Sequence, residues 1–136
     1  MKIVVEADKS NLGKIFDFVN KELSPYNINE NIVNKINIVL EEIFVNIANY
    51  AYGEKTGEVE ITREVNSENV KIIFADSGKR FNPLTHVDPD TSLSVEDREI
   101  GGLGILLTKK LMDDVDYEYK DGKNRLKIVK KIKLEA

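Results

Sequence analysis

Residues 30 to 52 carry the strongest hydrophobic pattern in the chain. Ile32, Ile36, Leu40, Ile43, Ile47 and Tyr50 recur at steps of three and four. At about 100° per residue they form one apolar stripe on a helix that packs against a core. The helix is expected to stop near Tyr52-Gly53, glycine being the usual residue just past a helix end. Before it, Lys2 to Ala7 reads as a short strand around Ile3, Val4 and Val5. Asp8 or Ser10 can then cap a helix bearing Leu12, Ile15, Phe16, Val19 and Leu23, which Ser24-Pro25 ends. After residue 57, Glu58 to Val65 alternates with Val59, Ile61 and Val65 on one face, Asn66 to Asn69 reads as a turn, and Val70 to Ala75 returns as a strand. A third amphipathic helix carries Leu103, Leu106, Leu107, Leu111 and Met112. Val115 to Lys120 and Arg125 to Leu134 form a second hairpin about Asp121-Gly122, a pair suited to a tight turn. Hairpin-joined strands with three amphipathic helices predict an α+β protein. The expected architecture is a two-layer α/β sandwich, a mixed, mostly antiparallel sheet with helices on one face.

The polar residues of the long helix change this picture. Glu42, Asn46 and Asn49 stand at i, i+4 and i+7 and share a face. That face lies beside the apolar stripe, while Asn34, Asn37 and Glu41 take the solvent side. A carboxylate and two amides at the margin of a core need partners, because burying such groups unpaired costs roughly 1 to 3 kcal/mol each. Two readings fit: a solvated helix flank, or the wall of a polar pocket with oxygens aimed at a cation or a water.

Composition narrows the classes. At 136 residues with 41% hydrophobic content the chain has the size of one globular domain with one core. A net charge of -4 argues against a general binder of nucleic-acid backbones. Lys127, Lys130, Lys131 and Lys133 cluster along one strand, where a charged outer edge is their expected use. The absence of cysteine excludes a disulfide framework and a thiolate metal site. No early apolar run follows a basic start and no stretch of about 18 apolar residues occurs. Neither a signal peptide nor a membrane span is therefore expected, and the cytoplasm is the default location.

Residues 77 to 100 are the anomaly, since structureless loops beyond about 12 to 15 residues are uncommon in compact domains and often serve as lids. Glycines flank the segment on both sides. On one side, Phe74-Ala75-Asp76-Ser77-Gly78 puts a carboxylate at the end of an apolar strand with a glycine two positions on. Alone, this is also an ordinary strand-to-loop turn. On the other, Gly101-Gly102-Leu103-Gly104-Ile105 opens a helix. Free N–H groups at a helix N-terminus bind anions, and glycines let phosphate oxygens approach, though simple loop-to-helix turns use the same residues.

Together the segments are more specific. A Glu42-Glu-Ile-Phe-Val-Asn46-Ile-Ala-Asn-Tyr-Ala-Tyr52 helix, then D-x-G after a strand, then a lid at about 79–100, then G-G-L-G-I on a helix, resembles the GHKL (Bergerat-fold) ATPases. Within them it looks most like the bacterial anti-sigma-factor serine/threonine-protein kinases, over nearly the whole chain. The resemblance implies ATP and Mg²⁺ as cofactors. Asn46 would hold the metal, an oxygen-rich and partly hydrated site being what Mg²⁺ prefers. Asp76 would accept from the adenine amino group with Gly78 beside the base. Gly101, Gly102, Leu103 and Gly104 would form the phosphate-binding helix start, and Asn49 would be either a further pocket residue or a plain helix-flank residue. Glu42 would be the general base toward a serine or threonine hydroxyl, and Arg98 would meet the γ-phosphate. The implied partners are a sigma factor and a phosphorylatable antagonist of the anti-sigma factor, with a homodimer as the assembly and no direct nucleic-acid or membrane contact.

The chain departs from the family pattern at three points. Arg80 stands where a second loop glycine is usual, Asn124 where a threonine is often found, and Glu41 adjoins Glu42. The sole histidine, His86, falls in the Pro-rich lid with no dimerisation helix before it, which argues against a sensor histidine kinase of the same fold. A nucleotide-controlled binding module with little or no phosphotransfer is the alternative function, and a purely structural domain a third.

Overall fold

The computed structural model describes residues 1–53, 55–80, 82 and 103–132. Among the described residues five strands, β1 (Lys2–Glu6), β2 (Glu58–Val65), β3 (Asn69–Asp76), β4 (Asp114–Lys120) and β5 (Lys123–Lys131), make one sheet in the order β1-β2-β3-β5-β4. All pairings among the described residues are antiparallel, so no parallel pair of the expected mixed sheet occurs there. The α-helices among the described residues are α1 (Leu12–Leu23), α2 (Glu30–Tyr50) and α3 (Leu103–Leu111).

Local chemistry sets the element ends. Asp8 accepts from the Ser10 N–H at 2.9 Å and starts a 3₁₀ turn leading into α1. Asn29 accepts from the Asn31 N–H at 2.8 Å and caps α2. Gly53 follows α2 with φ of 60°, the left-handed conformation expected just past a helix. In the β4–β5 turn Asp121 and Gly122 both take positive φ, 54° and 77°, the geometry of a two-residue hairpin turn that matches strand twist.

The helices bury Ile15, Val19 and Leu23 from α1 and Ile36, Val39, Leu40, Ile43 and Phe44 from α2 against Val59, Ile61, Val70, Ile72, Phe74 and Ile128 of the sheet. The buried arc of α2 is wider than the single stripe of the sequence, because α2 touches α1 on one side and α3 on the other. Val39 and Phe44 therefore join the core, while Tyr50, at the stripe's end, is 45% exposed. Asn37 does not face solvent as expected: it is half-buried and accepts from Asn20 Nδ2 at 2.8 Å, joining α1 to α2.

The opposite sheet face carries charge pairs across strands, beside Ile73, Ala75 and Val129. Glu64 faces Lys71 at 3.0 Å and Glu118 faces Arg125 at 3.6 Å, each in register, and Asp116 stands opposite Lys127. The lysines of β5 therefore do not form an outer edge. β5 lies between β3 and β4, the edges are β1 and β4, and Lys130 reaches Asp113 at 3.6 Å. Hairpin patterning alone leaves open which strand of the second hairpin pairs with the first. Lys133 lies outside the described residues.

One inward position is not apolar. Arg63 shares the parity of Val59 and Ile61, is 7% exposed, and holds its guanidinium over the Phe18 ring, 4.1 Å from the centroid. It donates to the Phe18 carbonyl and faces the Glu22 carboxylate at 3.5 Å, so a charge is kept inside by stacking and pairing.

Candidate functional site

The site forms where β3 ends against the C-terminal end of α2. The last residue of β3, Asp76, stands opposite Val59 on one side and Asn124 on the other, because β3 is interior to the sheet. Asp76 as a whole is 6% exposed. Oδ1 accepts from the Gly78 N–H at 3.0 Å and from Asn124 Nδ2 at 3.1 Å. Oδ2 bonds to no described residue and is left to accept from something else. Burial pushes the carboxyl above the ordinary 3.8, and the Asn124 and Gly78 donors pull it back.

The loop after Asp76 is docked onto α2. The Lys79 N–H donates to the Ala51 carbonyl at 2.8 Å. A side chain at Gly78 would put its Cβ 2.2 Å from that same oxygen, so the loop reaches this position only with glycine. The missing side chain thus makes way for the backbone of α2's end. Tyr52 completes the clamp: its hydroxyl donates to the Glu58 carbonyl at 2.5 Å and accepts from the Ser77 N–H at 2.9 Å. A Cβ on Gly57 would lie 2.2 Å from the Tyr52 ring, so the ring's seat also requires glycine. Burial is the main cause that holds the Tyr52 hydroxyl above its usual 10.0.

A second support comes from the β4–β5 hairpin. The Tyr117 hydroxyl donates to Asn124 Oδ1 at 2.6 Å, and Asn124 Nδ2 donates to the Lys79 carbonyl at 2.9 Å as well as to Asp76. Arg80, in place of the second glycine, is exposed and lies over the Tyr119 ring, 4.7 Å from its centroid.

Upstream on α2, Glu42 and Asn46 are both half-buried and bond to no other described residue. They stand about 6 Å apart along the helix axis, and Asn46 is about 7.5 Å before Ala51. Asn49 is exposed. Leu103 and Gly104 begin α3, which packs against α2. Arg98, Gly101 and Gly102, the lid and His86 lie outside the described residues apart from residues 79, 80 and 82 at the lid's start.

Among the described residues no group of three His, Cys, Asp or Glu side chains is placed to hold a metal. The unspent side-chain oxygen of Asn46 fits Mg²⁺ carried in with phosphates, since that ion keeps waters and takes few protein ligands. A groove of about 790 Å³ along β1 and α1, lined by Lys2, Lys14, Asp17, Lys21 and Arg63, shares no residue with this site. No described helix is long and apolar enough to cross a membrane.

Sequence reasoning missed Tyr52 and Tyr117. Tyr52 closes the helix motif, so its position is visible in the sequence, but its hydroxyl's two partners come from β2 and the loop after β3. Tyr117 shares a face with Val115, and strand alternation alone would have placed it inward.

The family model described as histidine kinase-like ATPase domain matches residues 5–130. Serine-protein kinase RsbW of Bacillus cereus strain AH187 is 33% identical over 94 residues, 66% of this chain and 59% of that protein. The protein of the same name in Bacillus mycoides strain KBAB4 is 35% identical over 89 residues, 62% of this chain and 56% of that protein. The chain thus spans less than two thirds of the length of these curated relatives. Among solved structures, that of the RsbU and RsbW domains of Rv1364c from Mycobacterium tuberculosis covers 100% of this chain with 34% of its own, at a TM-score of 0.64 and 11% identity. The catalytic domain of histidine kinase ThkA covers 96% of this chain with 98% of its own, at a TM-score of 0.57 and 18% identity. These structures share the fold.

Proposed function

The chain belongs to the histidine kinase-like ATPase family, and we propose that it is an ATP-dependent serine/threonine protein kinase and anti-sigma factor of a partner-switching pathway. Its partners are a sigma factor and an anti-sigma-factor antagonist, which it phosphorylates, and it works as a homodimer. The observation that carries the nucleotide reading is Asp76, a buried carboxylate with one oxygen fixed by two donors and the other open. The names of the relatives, serine-protein kinases, support the phosphotransfer reading.

In this reading the adenine amino group donates to Asp76 Oδ2, and the triphosphate extends toward α3. Gly101, Gly102 and Gly104 give backbone N–H groups to the phosphates, with Leu103 between them, and Arg98 meets the γ-phosphate. Asn46 would hold Mg²⁺, which would offset phosphate charge. Asn49 flanks the pocket. Glu42 takes the proton from the substrate serine or threonine as its oxygen bonds to the γ-phosphorus. The bond from that phosphorus to the β–γ bridging oxygen breaks and ADP leaves with the electron pair.

Titration calorimetry of ATP with Mg²⁺ against wild type and Asn46→Ala, followed by phosphotransfer to a candidate antagonist with wild type and Glu42→Ala, tests this. Binding that depends on Asn46 and transfer that depends on Glu42 is the expected result. Binding without any transfer moves the function to a nucleotide-controlled switch, and absence of binding removes both.

A further inference from the structure

We propose that Asn124, held by Tyr117, is the positioning residue that makes this site select 6-amino over 6-oxo purine nucleotides, by keeping Asp76 a carboxylate that only accepts hydrogen bonds. The inference rests on the nucleotide-binding reading above and adds the residues that set its base selectivity.

Asn124 is 7% exposed and sits directly across β5 from Asp76. Three bonds demand one orientation of its amide. Nδ2 donates to Asp76 Oδ1 at 3.1 Å and to the Lys79 carbonyl at 2.9 Å, while Oδ1 accepts from the Tyr117 hydroxyl at 2.6 Å. Turning the amide over would set Oδ1 against two other acceptors and lose both Nδ2 bonds. Asn124 therefore presents donors, and no acceptor, to Asp76. A threonine hydroxyl at this place rotates and can do either. The amide removes that freedom.

The consequence concerns the proton on Asp76. Burial favours the neutral acid, and N–H donors favour the carboxylate. A carboxylate accepts from an amino group and repels a carbonyl oxygen. A neutral acid carries an O–H that a 6-oxo group can accept. Among the described residues, the other groups around Asp76 give little help to the charged form. The end of α2 brings the Tyr52 hydroxyl, and β2 brings Val59 with Glu58 next to it. The loop brings exposed Lys79, and Arg80 is turned onto Tyr119. Asn124 and the Gly78 N–H are the direct donors.

The test measures the affinities of ATP and inosine triphosphate, which carries a 6-oxo group and no 2-amino group, from pH 5.5 to 8. Wild type, Asn124→Leu, Asn124→Thr and Tyr117→Phe are compared as full chains with Mg²⁺. Wild type is expected to favour ATP by about 100-fold or more at pH 7.5, since a site built around one hydrogen-bonding group rejects its mismatch strongly. Asn124→Leu lowers that ratio by about tenfold and moves its fall with decreasing pH to higher pH. Asn124→Thr recovers part of the loss. Tyr117→Phe, which removes the hydroxyl that holds Asn124 Oδ1, shifts the ratio the same way by a smaller amount. If the variants weaken both nucleotides equally, with ratio and pH profile unchanged, Asn124 is a structural residue and the inference fails while nucleotide binding stands. A wild type that binds neither nucleotide overturns both.

Discussion

Replacing Gly78 by alanine adds one methyl group at a place where the fold has no room for it. The new Cβ would lie 2.2 Å from the Ala51 oxygen, 2.6 Å from its carbonyl carbon and 2.7 Å from its Cβ. Two of these are backbone atoms at the end of a 21-residue helix, so the loop must give way rather than the helix. Such overpacking costs about 1–3 kcal/mol. Lifting the loop also breaks the Lys79 N–H to Ala51 bond, worth about 1 kcal/mol. For 136 residues the unfolding entropy is about 0.29 kcal/mol per kelvin, so a loss of about 2–4 kcal/mol lowers Tm by about 7–14 °C. Gly13→Ala is the control, being the same chemical change in α1 with nothing within 4 Å of the added carbon. It is expected to stabilise by about 0.5 kcal/mol and raise Tm by about 2 °C. Thermal melts of the two variants by circular dichroism, with ATP titration of each, give opposite signs if the loop rests on α2. ATP binding weakens by about tenfold or more in Gly78→Ala, because the Gly78 N–H orients Asp76, and is unchanged in Gly13→Ala. A Gly78→Ala protein that melts within about 2 °C of wild type would refute the docking of the loop on Ala51.

Tyr52→Phe removes the hydroxyl that bridges Glu58 and Ser77; both bonded groups can take water instead, so stability falls by about 1 kcal/mol, or about 3 °C in a melt, and ATP affinity falls several-fold. Asp76→Asn abolishes ATP binding and stabilises the fold at neutral pH by about 0.5–2 kcal/mol, the usual return for relieving a functional site. The sign follows from the raised carboxyl of Asp76: its contribution to stability is fully present below the unfolded value near 3.8 and is lost as pH rises through the higher folded value. The Tm advantage of Asp76→Asn therefore grows from acid toward neutral pH and then levels, and an advantage that shrinks with rising pH would contradict it. Mg²⁺ alone is expected to produce no heat in calorimetry and to bind only with nucleotide, since the described residues offer no carboxylate cluster for it.

The elements were legible because local and tertiary demands agree over most of the chain. Period 3.6 in α1 and α2, period 2 in the strands and Asp121-Gly122 at a turn each point to the structure that forms. What the pattern could not show is how elements sit beside each other. Asn37 looks like a solvent residue on a helical wheel, yet α1 supplies Asn20 to cover it. Arg63 breaks the inward apolar row of β2, and only the arrival of Phe18 and Glu22 from α1 makes that tolerable. The lysines of β5 read as an edge because no local signal tells an interior strand from an outer one when the facing strand supplies acids.

The site divides along the same line. Asp76 and Gly78 stand two residues apart, so their spacing carried meaning in the sequence. Asn124 is 48 residues from Asp76 along the chain, and it becomes a neighbour only through the β3–β5 register. Tyr117 reaches Asn124 through a second register, that of the hairpin. Tyr52 and Tyr117 act on the surroundings of Asp76 through other residues, Tyr52 through the Ser77 N–H and Tyr117 through Asn124. If Asn124 and Tyr117 set base selectivity as proposed, variants that shift ATP against inosine triphosphate should map to β4 and β5, whose register brings these residues to Asp76, as well as to the loop after β3.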